Sequence, residues 1–149
     1  MASYIEDLKK GTGMNGHHNR YRAVDFKIPP HVAREARSAL SDLEEYVTIN
    51  YERPIDQKYA KGMAHILAED GELDIQELER MLRYFKIDAE SKYPYKEASR
   101  SSDEGIIWRL WGGNVGEEWA YKLDHQMREI DSGWKRSGPT WKRRQLSGP

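Results

Sequence analysis

The sequence predicts an all-α fold: a compact bundle of about five helices with an irregular N-terminal arm and an extended basic C-terminal tail. Apolar residues recur at helical spacing in successive segments, and capping residues precede several of them. No segment of useful length alternates as a half-buried strand does, with "EYVTINY" (45–51) as a local exception. Residues 1–28 should form the arm, residues 29–132 the helical domain and residues 133–149 the tail.

The composition suits one domain with an ordinary core. A protein of 149 residues can bury enough apolar surface to fold without disulfides or a structural metal. Cysteine is absent, which removes disulfides, thiolate zinc sites and cysteine nucleophiles. No segment approaches the roughly 20 apolar residues of a membrane span, so we expect no membrane partner.

The arm contains "GTGMNG" (11–16), which matches the dinucleotide fingerprint G-x-G-x-x-G. That fingerprint needs a strand before it and a helix after it, because the helix N-terminus holds the pyrophosphate. Neither is predicted here, so we interpret the segment as part of a flexible arm. His17 and His18 are neighbours whose side chains should diverge, and a metal site would need Asp25 or Glu6 as well. We therefore predict no metal ion and no cofactor.

Two amphipathic helices are predicted after the arm. The first follows Pro29 and Pro30 in "HVAREARSALSDLEEYV" (31–47), and the second occupies "DQKYAKGMAHILAED" (56–70). Apolar residues at helical spacing should form the buried face of each. The predicted buried residues are Val32, Ala36, Leu40, Leu43 and Val47 in the first helix, and Tyr59, Met63 and Leu67 or Ile66 in the second.

The stretch "AEDGELDIQELERML" (68–82) resembles a calcium-binding EF-hand loop. Placing Glu77 at the twelfth loop position puts Ile66 and Ala68 at the first and third, where oxygen ligands are required. We therefore predict no calcium site and a structural role instead: Gly71 breaks the second helix, Asp74 caps the third, and Glu77 completes a capping box. The third helix should bury Ile75, Leu78, Leu82 and Phe85.

A tight turn between two further helices is predicted in "WGGNVGEEWA" (111–120). Gly112 and Gly113 suit a left-handed helix C-terminus, and Asn114 suits an N-cap with Glu117 closing a second capping box. The fifth helix should end near Ser132 and Gly133. The fourth helix should start at Ser102 or Asp103, and the predicted buried residues are Ile106, Ile107, Leu110 and Trp111, followed by Val115, Trp119, Leu123, Met127 and Ile130.

Three segments, "MNGHHNRYRAVDFKIPPHVAREARSAL" (14–40), "ELERMLRYF" (77–85) and "IIWRLWGGNVGEEWA" (106–120), together resemble a small domain of tailed bacteriophages. The last is similar to that family's Trp-Gly-Gly-Asp-x-Gly-x-x-Trp-Ala motif, with Asn114 at the Asp position. Where the family often has a His-Glu-Val-Asp-like run, this sequence has Lys86, Ile87 and Asp88, so a site built on that histidine is not implied here. Members occur alone or attached to head-associated and maturation proteins. The resemblance implies a phage origin and no particular reaction.

The sequence favours a protein that is not an enzyme. It contains no G-x-S-x-G elbow, no P-loop and no H-E-x-x-H pair. The helix pair spanning residues 59–85 also resembles a DNA-reading helix-turn-helix. Its second helix would present Asp74, Glu77 and Glu79 first, and these carboxylates would oppose phosphate. We therefore expect this pair to pack in the core.

The tail, "GWKRSGPTWKRRQLSGP" (133–149), is the candidate binding site. It carries +5 and, since the whole protein carries −1, residues 1–132 carry −6. Exposed tryptophan lowers solubility, so we expect the tail to dock on a protein partner, on the acidic body itself or on single-stranded nucleic acid. The predicted binding residues are Trp134, Lys135, Arg136, Trp141, Lys142, Arg143 and Arg144.

These observations lead to one preferred hypothesis and one alternative. The preferred hypothesis is a non-enzymatic phage protein that acts as an assembly or binding module, associated with the virion or head, whose tail docks on a protein partner such as another phage structural subunit. The alternative is a phage protein that binds nucleic acid through the Trp/Lys/Arg tail. Either protein is expected in the host cytoplasm during infection, with the virion as a further location.

Overall fold

The structure, a computed structural model, describes residues 20–45 and 49–133 in full and the backbone of residues 134–137. The β-type pairing among these described residues is limited to an isolated antiparallel bridge between Lys27 and Glu72. The predicted all-α fold is confirmed. The described helices are α1 (Pro30–Glu44), α2 (Pro54–Ala68), α3 (Ile75–Ala89), α4 (Asp103–Leu110) and α5 (Gly113–Ser137), with a 3-10 turn at Tyr95–Glu97 between α3 and α4.

The protein consists of two compact units. The larger unit is Phe26–Tyr121, and it contains α1 to α4 and the beginning of α5. The described part of the smaller unit consists of residues 20–25 and 122–137.

The core of the larger unit forms where α1 packs against α2 and α4. The apolar residues predicted to be buried in α4 and directly after it are all buried, namely Ile106, Ile107, Leu110 and Trp111. In the part of α5 that belongs to this unit, Trp119 is buried as predicted, whereas Val115 is half-buried.

The buried face of α3 is wider than predicted, because Met81 and Tyr84 are buried while Leu82 is half-exposed at its edge. The buried face of α1 consists of Val32, Ala33, Ala36 and Ala39, which confirms the predicted burial of Val32 and Ala36. Leu40 and Leu43 lie at its edge and are half-buried, and Val47 lies outside the described residues. The largest fully buried apolar side chains include Trp111, Tyr84, Phe85, Ile28, Leu67 and Leu78.

The predicted capping box at the start of α3 is confirmed. The Glu77 amide donates to Asp74 Oδ1 at 2.7 Å, and the Asp74 amide donates to Glu77 Oε1 at 2.9 Å. Two otherwise unpaired amides at this helix end are thereby satisfied. Helix α2 ends at Ala68, before Gly71, and Asp70 is the residue with a left-handed backbone, at φ 62°. Aspartate is among the few residues other than glycine that tolerate this conformation.

The turn that resembles an EF-hand loop packs against residues 26–28. The Ile28 amide donates to the Gly71 carbonyl at 2.8 Å, and the Leu73 amide donates to the Phe26 carbonyl at 3.0 Å. Lys27 Nζ donates to the Asp70 carbonyl at 3.1 Å. An ammonium group therefore stands beside an oxygen of the turn, where it disfavours a cation.

We expect isothermal titration of metal-free protein to show no calcium binding tighter than millimolar. The first and third loop positions, Ile66 and Ala68, lack the oxygens that a calcium loop needs. Titration of Lys27→Ala, which removes the nearby cation, should give the same result because the missing ligands remain missing. Micromolar affinity in either protein would contradict the structural interpretation of this turn.

The turn between α4 and α5 needs both of its glycines. Gly112 has φ 113° and Gly113 has φ 65°, so the predicted left-handed backbone is present. A Cβ atom on Gly112 would lie 2.9 Å from the Cα atom of Gly116. The second capping box, in contrast, was a wrong prediction. Helix α5 already begins at Gly113, and Asn114 Oδ1 accepts the indole N–H of Trp108 at 2.9 Å instead of capping.

Helix α5 is longer than the sequence predicts, because it continues through Gly133 to Ser137. A glycine inside a helix costs roughly 1 kcal/mol relative to alanine, which weakens a helix without ending it. The first part of the predicted tail, Trp134 to Arg136, is therefore helical. In the smaller unit, Leu123 is buried and Tyr21 Oη donates to Asp131 Oδ1 at 2.7 Å.

Candidate binding pocket

A pocket of about 360 Å³ lies in the larger unit. Four segments build its wall: α1, the connection between α3 and α4, α4 itself and the first residues of α5. The pocket combines charged side chains with an indole ring and small apolar groups. Its lining residues are Glu35, Lys96, Ala98, Arg100, Gly105, Trp108, Arg109, Asn114 and Val115.

Helix α4 and the connection before it meet at Gly105. A Cβ atom at this position would overlap the backbone carbonyl of Ser99. That carbonyl accepts hydrogen bonds from the Ser102 amide at 3.0 Å and from Ser102 Oγ at 2.7 Å. Ser102 Oγ in turn accepts from the Gly105 amide at 3.0 Å, so of the two predicted starting residues, Ser102 and Asp103, Ser102 is the N-cap. Because of these bonds, the connection lies directly on α4.

Arg109 is the buried cation of the pocket. Its side chain is 3% exposed, and its Nη1 lies 2.7 Å from Asp42 Oδ2. Nη1 also donates to the Arg100 carbonyl at 3.1 Å, and Nη2 donates to Ser38 Oγ at 2.7 Å. Nε is buried without a hydrogen bond, although Glu35 Oε2 stands 3.5 Å away. Its partners fix the guanidinium in one orientation, as a buried charge requires.

Two more ion pairs border the pocket. Arg100 binds Glu35 through both terminal nitrogens, at 3.0 and 3.3 Å. Lys96 Nζ lies 2.7 Å from Glu117 Oε1. The hydrogen bond to Glu117 raises the pKa of Lys96, and the hydrogen bond to Glu35 raises the pKa of Arg100. Both groups are therefore held in their cationic form.

The start of α5 closes one side of the pocket. An indole N–H is a donor only, so its bond from Trp108 identifies the Asn114 amide oxygen as the acceptor. The Glu35 carboxylate lies against Gly113, where Oε2 would be 2.8 Å from an added Cβ atom. A negative charge thus stands near the N-terminus of a 25-residue helix, the end that attracts anions.

A second, buried charge cluster holds the connection in place. Arg53 lies 2.8 Å and 3.2 Å from the two carboxylate oxygens of Asp56, which is fully buried. Arg53 Nη1 also donates to Asp88 Oδ1 at 3.2 Å. Asp88 is 1% exposed and accepts the amides of Tyr95 at 2.6 Å and Lys96 at 3.1 Å. The carboxylate at the end of α3 therefore positions the backbone of a pocket residue.

Aromatic rings surround this cluster. The Arg53 guanidinium lies 3.8 Å from the ring centre of Tyr95 and 5.0 Å from that of Tyr84. Tyr84 stacks on Trp111 with ring centres 4.5 Å apart. Burial raises the pKa of Tyr95 to about 12 and also raises the pKa of Tyr84. Burial raises the pKa of Asp56 as well, although Arg53 opposes this effect. The cluster links four segments, and its members are buried except Arg53, whose side chain is 18% exposed.

The residues predicted as the binding site are not gathered in this pocket. Trp134, Lys135 and Arg136 lie in the last turns of α5, where the backbone alone is described. Trp141, Lys142, Arg143 and Arg144 lie outside the described residues, as do His17, His18 and the fingerprint "GTGMNG". One sequence signal did point to the pocket: Arg109 interrupts the apolar run "IIWRLW" (106–111), which marks a buried charge with a partner.

The described residues contain no group of three or more His, Cys, Asp or Glu side chains placed to hold a metal ion. None of the helices in that part of the protein has the length and apolar character needed to cross a membrane. Comparison with protein families, with curated proteins and with solved structures finds no match to this sequence.

Proposed function

We propose that this is a non-enzymatic protein of a tailed bacteriophage and acts as an assembly or binding module with a protein partner. The resemblance of "IIWRLWGGNVGEEWA" to a phage domain supports the phage origin. In the structure, this segment forms the last five residues of α4, the glycine turn and the first turns of α5. It therefore supplies Trp108, Arg109, Asn114 and Val115 to the pocket wall.

The proposal rests on the ion pairing and protonation of the charged side chains in the pocket. Lys96, Arg100 and Arg109 are each paired with a carboxylate. A lysine that acts as a general base needs a lowered pKa, whereas the pKa of Lys96 is raised by Glu117. Groups held as permanent cations suit recognition of a partner better than proton transfer.

The register of α5 favours a protein as that partner. Leu123 is buried, Met127 and Ile130 are half-buried, and Trp134 stands at the next position of the same helical spacing. Tryptophan is among the residues that contribute most strongly to binding at protein–protein contacts. Residues 1–132 carry −6, and this charge would repel a polyanion.

The alternative function is nucleic-acid binding, and the composition of the tail favours it. Five cations and two tryptophans in residues 133–149 could neutralise phosphates and stack on bases.

Oligonucleotide binding at near-physiological salt distinguishes the two functions. We expect the intact protein to bind single-stranded DNA or RNA no tighter than micromolar. A truncation after Ser137 is the matched variant, because it removes Trp141, Lys142, Arg143 and Arg144 and leaves α5 whole. Submicromolar affinity that disappears on truncation would establish the alternative. Its log affinity should then fall with log salt at a slope no steeper than about −3.5 for five cations.

A further inference from the structure

We propose that the pocket is the docking site for a carboxylate group on a partner protein, presented beside an apolar side chain. This inference rests on the proposed function in taking a protein as the partner, and it adds the location and chemistry of the contact. It concerns the larger unit alone and does not involve the tail.

The charges that line the pocket favour an entering anion. Lys96, Arg100 and Arg109 line the wall with a single acid, Glu35. The carboxylates of Glu117 and Asp42 pair with Lys96 and Arg109, but neither is a lining residue. The first residues of α5 also line the pocket, and the amide groups of a helix N-terminus favour negative charge.

The position that a ligand carboxylate would take is marked by Glu35. Its Oε2 lies 3.0 Å from Arg100 Nη1 and 3.5 Å from Arg109 Nε. Arg109 Nε is buried and lacks a hydrogen-bond partner, so it remains a free donor beside this carboxylate. Arg100 is 68% exposed and is free to exchange one carboxylate for another. A ligand carboxylate would compete with Glu35 for Arg100, and it would also be attracted electrostatically by the N-terminus of α5.

The rest of the pocket wall is apolar and consists of few side chains. Ala98 and Val115 line it together with Trp108, whose side chain is largely buried. A volume of about 360 Å³ is near the lower end of ligand pockets, which span roughly 300 to 1,000 Å³. It accommodates one carboxylate with one aliphatic side chain. Either the terminal carboxylate of a polypeptide or an acidic side chain next to an aliphatic residue has this chemistry.

The test is a nitrogen-proton correlation NMR titration of the full-length protein, with the Trp108 indole N–H as reporter. That group bonds to Asn114 in the pocket wall, so occupancy should move its signal. The probes are N-acetyl-leucine, which carries a terminal carboxylate, and N-acetyl-leucine amide, which does not. N-acetyl-glutamate amide and inorganic phosphate complete the set. We expect saturable shifts with the two carboxylates at a Kd on the order of 1 to 10 mM, the range open to so small a ligand.

Three variants test which residues contact the ligand carboxylate. Arg100→Ala should weaken carboxylate binding by about three- to tenfold, because it removes a charged hydrogen-bond donor at an exposed position. Glu35→Gln should tighten binding, because it removes the competing carboxylate while preserving side-chain shape. Arg128→Ala, at an exposed arginine outside the lining, should leave binding unchanged.

Several results would overturn the inference. These are the absence of a Trp108 shift at 50 mM probe (about five times the upper expected Kd), equal binding of acid and amide, or unchanged affinity in Arg100→Ala. Tighter binding of phosphate than of either carboxylate would also contradict the inference, because it would identify the pocket as a phosphate site. A preference between the two carboxylate probes supports the inference and identifies its source as a terminal carboxylate or a side chain. Failure of this titration leaves the assembly role intact, because that role is judged by association with phage structures.

Discussion

Gly105→Ala is expected to lower the free energy of unfolding by about 3 kcal/mol, a large effect for one methyl group. The added Cβ atom would overlap the Ser99 carbonyl, and backbone cannot rotate away as a side chain can. Two hydrogen bonds from Ser102 hold that carbonyl in place. Relief of the overlap therefore requires α4 to separate from the connection that supplies Lys96 and Arg100 to the pocket.

Gly62→Ala is the matched control, measured beside Gly105→Ala by urea and thermal denaturation. Gly62 lies inside α2, and an added Cβ atom there meets nothing within 4 Å. Alanine should stabilise this helix by roughly 0.5 to 1 kcal/mol, because glycine loses more backbone entropy on folding. The same substitution should thus have opposite signs at the two positions. Gly105→Ala with wild-type stability would show that the connection does not lie on α4.

Asp88→Ala should lower the free energy of unfolding by about 3 to 5 kcal/mol, as breaking a buried charge pair does. Asp88 is buried and accepts two backbone amides as well as Arg53. Its removal leaves the amides of Tyr95 and Lys96 without their acceptor and leaves Asp56 as the carboxylate partner of Arg53. Asp88→Asn keeps an acceptor oxygen and the side-chain volume, so its cost should be smaller.

Asp124→Ala provides the surface control for this experiment. Asp124 pairs with Arg128, whose side chain is 76% exposed, and such solvent-exposed pairs contribute little to stability. Chemical denaturation of the three variants should rank Asp88→Ala as least stable, then Asp88→Asn, with Asp124→Ala close to wild type. Equal stabilities of Asp88→Ala and Asp124→Ala would contradict the anchoring role of the buried cluster.

The features that the sequence predicts correctly are those that depend on neighbouring residues. The Asp74 and Glu77 capping box needs two residues three positions apart, and the left-handed glycines need only their own conformational freedom. The sequence predicts that Gly71 breaks α2, whereas the helix already ends at Ala68 and the left-handed backbone belongs to Asp70. The all-α fold followed from helical spacing alone.

The pocket depends on residues far apart in the sequence, and no local pattern joins them. Glu35 meets Arg100 across 65 positions, and Asp42 meets Arg109 across 67. The second predicted capping box is absent because a residue outside the predicted motif competes for its cap. The Trp108 indole N–H donates to the Asn114 side chain that the sequence predicts as the N-cap. Glycine is typical of helix ends, so the sequence predicts that α5 ends near Gly133, whereas the helix continues to Ser137. A glycine without a left-handed backbone weakens a helix but does not end it.

The most direct test of the proposed assembly role is quantitative mass spectrometry of gradient fractions from infected cells. Purified particles, assembly intermediates and the soluble fraction of the lysate should be compared for this protein and for a known structural subunit. The proposed role predicts that the protein sediments with particles or intermediates at a fixed ratio to that subunit. A protein that is abundant in the soluble fraction and absent from every assembled fraction would contradict the proposal.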